Sequence, residues 1–238
     1  MSAGITCIGL GPGAPDLMSL RAHARLQAAR IVAHFRKPGR AGRARQIAIG
    51  MIPEGAQEWA MEYPVTTEIA VEDPGYNAAL APFYDHWAAR LAAEAGRGGV
   101  VVLCEGDPFL YGSFMHLHSR LPGGMVEVVP GIPGMAGCWT ATGRPVTWGD
   151  DVLTVLPATL PEDELARRIA DTDALVVMKI GRNLPKLRRA LAAAGRLDAA
   201  WLVEEGTMPG ERVRMLADVE GEVPYFAIAI LHGEGRRP

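Results

Sequence analysis

The sequence predicts an α/β protein organised as two α/β domains. Three observations carry that reading. Runs of apolar and β-branched residues stop repeatedly at glycine- and proline-rich turns: GLGPGA at 9–14, EGDP at 105–108 and PGIPG at 130–134. Segments with apolar residues at helical spacing alternate with those runs, the pattern of a sheet with crossover helices. Each half of the chain holds several such units, and Pro122-Gly123-Gly124 has the composition of a linker, which places the domains at 1–122 and 123–238.

Thr6 to Leu10 is a short apolar strand that runs into the GLGPGA loop, and Ser19 opens a helical pattern, SLRAHARLQAA. Strand, glycine loop and helix is the start of many phosphate- and nucleotide-binding folds. The loop even satisfies G-x-G-x-x-[GA]. Two details oppose an NAD site: Pro12 removes an amide from the loop, and the second strand, Ile31 to Phe35, is flanked by His34, Arg36 and Lys37 where an acid is wanted for the ribose. An NADP-linked oxidoreductase accommodates those bases and is the alternative reading.

The stretch HFRKPGRAGRAR (34–45) carries Arg36, Lys37, Arg40, Arg43 and Arg45 with no acid, in a chain of net charge −3. Most charge runs are solvated loops; the functional alternative is a clamp for a polyanion, since guanidinium groups pair bidentately with carboxylates. Gln46 to Ile52 and Trp59 to Tyr63 read as strands, and PVTTE (64–68) as the turn after the second. From about Gly75 to Ala95, Leu80, Phe83, Tyr84, Trp87 and Leu91 fall at helical spacing and read as core.

Val100 to Cys104 is a buried strand that ends at Glu105-Gly106-Asp107-Pro108. Ligands of open α/β sheets bind beyond the carboxyl ends of strands, so this turn is a candidate site; Gly106 admits close approach and Pro108 stiffens the turn. The bland reading makes Asp107 a helix cap. A helix follows at 113–121, where His116 and His118, two apart, lie on different faces and do not suit one metal. Val126 to Val129 is a strand, and PGIPG turns into a helix through MAGCWTATG. The second half continues with strands at 152–156, 174–178, 201–204, 212–216 and 226–231 and helices at 162–169 and 184–194.

Composition bounds the function. Hydrophobic residues at 49% supply a sizeable core, and the net charge of −3 argues against a general nucleic-acid binder. No apolar run has the length of a membrane span. The start, MSAGITCIGLG, lacks the pattern of a signal peptide. Cys7, Cys104 and Cys138 are an odd number in apolar segments and read as reduced core cysteines of a cytoplasmic protein. CxxC and HExxH are absent, so no metal is expected.

Taken together, GLGPGAPDLMSLRA, EGDPFLYG, VVPGIPGMAG, GRPVTWGD and LVEEGT occur in an order and at gaps that resemble the tetrapyrrole methyltransferase family, the S-adenosylmethionine (SAM) enzymes of cobalamin and sirohaem synthesis. YPVTTE, EGDPFLYGSFMHLH and VMKIGRNLPKL look most like members acting on a precorrin ring. The resemblance implies two α/β domains with the active-site cleft between them, a homodimer, and SAM bound in a folded conformation. Carried over position by position, Pro12, Glu105, Gly106, Asp107, Leu110, Pro133, Gly134, Met178, Lys179, Glu205 and Ala227 would line the cofactor site. Pro133-Gly134 stands where the family often has Thr-Ala or Ser-Ala, which leaves backbone contact in place of a hydroxyl. Tyr111, Glu68 and His116 are the candidates for proton transfer. The acetate and propionate carboxylates of a tetrapyrrole give Arg36, Lys37, Arg40, Arg43 and Arg45 a role, with Arg21 and Arg144 as further candidates. A third reading is a non-catalytic tetrapyrrole carrier that kept the same cleft.

Overall fold

The computed structural model describes residues 4–65 and 73–235. It separates into two units, Met1–Pro133 and Gly134–Pro238. The first begins with β1 (Ile5–Gly9), α1 (Leu20–Gln27), β2 (Ile31–Arg36), α2 (Arg43–Ile47) and β3 (Gln57–Glu62). It continues with α3 (Pro74–Ala95), β4 (Val100–Cys104), α4 (Phe114–His118) and β5 (Val126–Val129). Its five strands form a sheet in the order β3-β2-β4-β1-β5, and all four neighbouring pairs are parallel.

A parallel sheet covered on both faces needs strands apolar on both sides. Side chains alternate between faces, so Ile5 and Cys7 pack with Trp87, Leu91 and Phe114 of α3 and α4, while Ile8 packs with Ala22 and Leu26 of α1 and Ile47 of α2. Helix α1 starts where Ser19 Oγ accepts the Ala22 amide at 3.2 Å. Asp73 caps α3 in the same way through the Gly75 amide at 2.8 Å, ahead of Pro74 in the first turn.

The second unit runs α5 (Gly134–Ala141), β6 (Leu153–Pro157), α6 (Glu162–Ala170), β7 (Ala174–Met178), α7 (Leu184–Ala193), β8 (Trp201–Glu204), β9 (Arg212–Met215) and β10 (Ala227–Leu231). Its sheet has the order β6-β7-β10-β8-β9, with β10 antiparallel to both neighbours. Leu165, Ile169, Leu187 and Leu191 of α6 and α7 cover one face and Cys138 of α5 lies on the other.

Two expectations from sequence are corrected. The division falls after Pro133, not at Pro122-Gly123-Gly124, because Val126–Val129 pairs with Ile5–Ile8 in the first sheet. The Pro-Gly-Gly is therefore a turn inside the first unit. Residues 46–52 do not form a strand: Arg43–Ile47 is helical and a turn follows. Ala44, Ile47 and Ala48 fall on one helical face and are buried against Leu26 and Val32. The surrounding arginines masked that short stripe.

Candidate active-site loops

In the first unit β1 is followed by α1 on one face of the sheet, and its neighbour β4 by α4 on the other. Adjacent strands whose connections leave on opposite faces make a topological switch point, the usual ligand position of an open α/β sheet. The GLGPG and EGDP loops meet there. The Leu10 amide donates to the Cys104 carbonyl at 2.9 Å and the Gly106 amide to the Gly11 carbonyl at 2.8 Å. The third loop, PGIPG, joins them through glycine. A Cβ at Gly9 would lie 2.5 Å from the Gly131 nitrogen, and one at Gly131 would overlap the Gly106 carbonyl oxygen. Gly106 also has φ +60°, a conformation that favours glycine.

Asp107 locks this arrangement. Its Oδ1 accepts the Phe109 amide at 2.9 Å and its Oδ2 the Gly131 amide at 3.1 Å. It is neither a cap of α4, whose flanking Ser113 makes no side-chain cap, nor an open carboxylate: it pins the EGDP turn to the PGIPG loop. Pro12 and Leu110 are half-buried, and Phe109, Tyr111 and Ile132 are exposed.

Glu105 turns away from the loop edge. Its Oε1 accepts the Ala44 amide at 3.1 Å and so holds the first turn of α2. Burial pushes its carboxyl up to about 7, against the opposing pull of the Arg43 guanidinium and the Ala44 amide.

The basic stretch is less bare than it reads. Arg45 clasps Glu58 through Nε and Nη2 at 2.6 and 3.0 Å, and Arg36 Nε donates to Glu62 at 3.0 Å. Both acids lie on β3, which pairs with β2 and brings them across. The local positive excess falls by two. Lys37 and Arg40 are exposed and Arg43 is half-buried. Arg21, on the first turn of α1, and Arg144, after α5, are also exposed.

Of the proton-transfer candidates, Tyr111 follows the EGDP turn with φ +55°. The His116 ring packs on Tyr84 of α3 with centroids 4.8 Å apart, so it belongs to the α3–α4 contact. Glu68 lies outside the described residues. Sequence reasoning missed Tyr63, whose hydroxyl donates to Ser113 Oγ at 2.5 Å while its ring stacks 5.5 Å from Phe35. This contact ties the end of β3 to the entry of α4. Burial pushes the Tyr63 phenol well above its ordinary value. The aromatic residue heading YPVTTE was its signal.

The second unit brings Met178, Glu205 and Ala227 to one sheet edge. Met178 ends β7, Glu205 follows β8, and Ala227 opens β10 opposite Glu204. The Glu205 amide donates to the Phe226 carbonyl at 2.9 Å, and the Ala158 amide to the Met178 carbonyl at 2.7 Å. Pro133 and Gly134 sit at the start of α5, and a Cβ at Gly134 would meet nothing within 4 Å. Four non-glycine residues among those described have positive φ: Tyr111, Lys179, Glu205 and Thr207. The first three are positions expected to serve the site. Left-handed backbone costs about 1–2 kcal/mol per residue and clusters at functional sites. Among the described residues no three His, Cys, Asp or Glu converge to hold a metal ion, and no helix is long and apolar enough to cross a membrane.

This architecture, with glycine-rich loops meeting at a switch point and left-handed residues at loop positions, has a counterpart in a known family. Residues 4–219 match the model of the Tetrapyrrole (Corrin/Porphyrin) Methylases, and the chain belongs to that family. It is 48% identical to the precorrin-2 C(20)-methyltransferase of a Sinorhizobium species, over 97% of this chain and 96% of that one. It is 28% identical to the cobalt-precorrin-2 C(20)-methyltransferase of Salmonella typhimurium, over 98% and 97%. Among solved structures, the cobalt precorrin-4 methyltransferase CbiF shares the fold, with a TM-score of 0.71 at 20% identity, over 95% and 93%.

Proposed function

We propose that this chain transfers a methyl group from SAM to C(20) of precorrin-2, giving precorrin-3A and S-adenosylhomocysteine in cobalamin biosynthesis. The observation that carries the reading is the 48% identity, sustained over nearly the full length of both chains, to a precorrin-2 C(20)-methyltransferase. The 28% identity to the enzyme named for the cobalt-loaded ring favours the metal-free substrate.

SAM supplies a sulfonium methyl that an electron-rich meso carbon of the reduced ring can attack. The chain's part is placement, and holding carbon and methyl in line contributes up to about 7–11 kcal/mol. The loop edge suits a cofactor that needs close backbone approach. Glycine faces glycine at 9, 106 and 131, and Asp107 fixes the turn before any ligand arrives. In this reading Pro12, Gly106 and Leu110, with Pro133, Gly134, Met178, Lys179, Glu205 and Ala227, contact SAM. Glu105 and Asp107 act one step back, by holding α2 and the loops. Tyr111, on a left-handed backbone beside the EGDP turn, is our candidate for proton transfer, taking the meso proton as it passes its own phenolic proton to solvent, a contribution of about 10²–10⁴-fold. Arg21, Arg36, Lys37, Arg40, Arg43, Arg45 and Arg144 would face the ring's carboxylates. The protein works as a cytoplasmic homodimer.

The deciding experiment incubates the protein with metal-free precorrin-2 and methyl-labelled SAM and locates the label by NMR. Label at C(20) is expected. Transfer to another carbon, or only to the cobalt-loaded ring, overturns the assignment.

A further inference from the structure

Partners in a parallel pair share a face of the sheet. Val32 is level with Glu58, His34 with Ala60 and Arg36 with Glu62, and all lie on the α2 side of the β2–β3 edge. There His34, Arg36, Arg40, Arg45, Glu58 and Ala60 line a cavity of about 540 Å³. The segment over it is anchored by the Glu105–Ala44 bond. It is seated so closely at Gly42 that a Cβ would overlap the Phe35 carbonyl oxygen. Ala60 is too small to fill the floor.

The cavity is rich in donors and poor in acceptors. His34 is 2% exposed. Its Nε2 lies 3.7 Å from Glu58, outside hydrogen-bond reach. Desolvation lowers the His34 pKa, so the ring is neutral near pH 7 and adds no charge to the wall. Glu58, the acid of the wall, is already clasped by Arg45, and Arg36 is held by Glu62 outside it. Each of these arginines keeps its Nη1 uncommitted among the described residues, and Arg40 has no acidic partner among them. Guanidinium groups fixed in this way match a planar carboxylate. The volume far exceeds that of a bare ion and admits a flexible arm.

We infer that this cavity is a carboxylate subsite that seats one acetate or propionate arm of the tetrapyrrole, with Arg40 as donor and Arg36 and Arg45 positioned by their acids. The inference rests on the methyltransferase reading and narrows it. Within the basic stretch Arg40 recognises the arm, while Arg43 and Lys37 lie outside the cavity. His34, which an inspection of charge alone passes over, walls the cavity as a neutral ring.

The test is steady-state methylation of precorrin-2 by the wild type, Arg40→Ala and Ala60→Leu, with thermal melting to confirm that each variant folds. Arg40→Ala removes an exposed donor; Ala60→Leu fills the floor and leaves every charge in place. Both should raise KM for precorrin-2 about tenfold, the worth of one charge-assisted pair, with KM for SAM within about twofold. The Arg40→Ala effect should shrink at high salt and the Ala60→Leu effect should not. Wild-type KM for precorrin-2 in both variants overturns the subsite. A wild type that does not methylate precorrin-2 overturns the methyltransferase reading instead, which keeps the two failures apart. Malonate is the probe for a free-anion site. If it stabilises the wild type and not Ala60→Leu while both variants keep wild-type KM, the cavity serves a small free carboxylate and the assignment to the substrate arm falls.

Discussion

Replacing Asp107 by alanine removes two backbone hydrogen bonds at once and leaves the strands that carry them untouched. The Phe109 amide lies at the surface and can rebind water, so its loss costs about 0.5–1 kcal/mol. The Gly131 amide is partly buried, and leaving it without its charged acceptor costs about 1.5–2 kcal/mol. The sum, about 2–3 kcal/mol, corresponds to a drop in Tm of roughly 5–10 °C for a chain of this size. Asp107→Asn keeps one acceptor oxygen and turns an NH2 toward the other amide, so it should fall about halfway between. The same series measured by calorimetry with S-adenosylhomocysteine should order the same way, because an unpinned EGDP turn must be ordered on binding. Differential scanning fluorimetry gives the first test. An Asp107→Ala protein melting within about 1 °C of the wild type would refute the pinning argument, whatever happened to ligand binding.

Other outcomes follow from the same geometry. Glu105 is protonated in the folded chain up to about pH 7, whereas its unfolded value is 4.5. Its contribution to stability is therefore full below pH 4.5 and lost as pH rises through 7. Glu105→Gln keeps an acceptor for Ala44 and cannot ionise, so its unfolding free energy should gain on the wild type from pH 4.5 to 7, by up to roughly 3 kcal/mol, and run parallel above; curves parallel throughout would count against it. Gly131→Ala should cost about 3 kcal/mol or more because its Cβ meets backbone, while Gly134→Ala should stay within about 0.5 kcal/mol; equal melting points would contradict the packed-glycine account. S-adenosylhomocysteine should raise Tm and NADPH should not, and the reverse would restore the oxidoreductase reading. Light scattering should give the mass of a dimer, and a monomer would remove that part of the proposal.

Local signals carried much of the fold. Ala174–Met178, Trp201–Glu204 and Val126–Val129 are β-branched or apolar runs closed by turns, and a strand that buries both faces announces itself in that way. The EGDP loop was legible because its place at a strand end follows from order along the chain. What stayed hidden depended on partners distant in sequence. Arg45 meets Glu58 and Arg36 meets Glu62 only because β3 pairs beside β2, so a stretch with no acid of its own turned out to be partly neutralised. That Asp107 would also accept the Gly131 amide, and Glu105 the Ala44 amide, was not legible in the chain. The unit boundary moved from 122 to 133 because a strand's sheet is decided by its hydrogen-bonded neighbour, Ile5–Ile8, and not by the linker-like residues before it. Chain order and side-chain period are properties of the sequence. Which carboxylate meets which amide is set by a three-dimensional distance, and tertiary packing alone decides that.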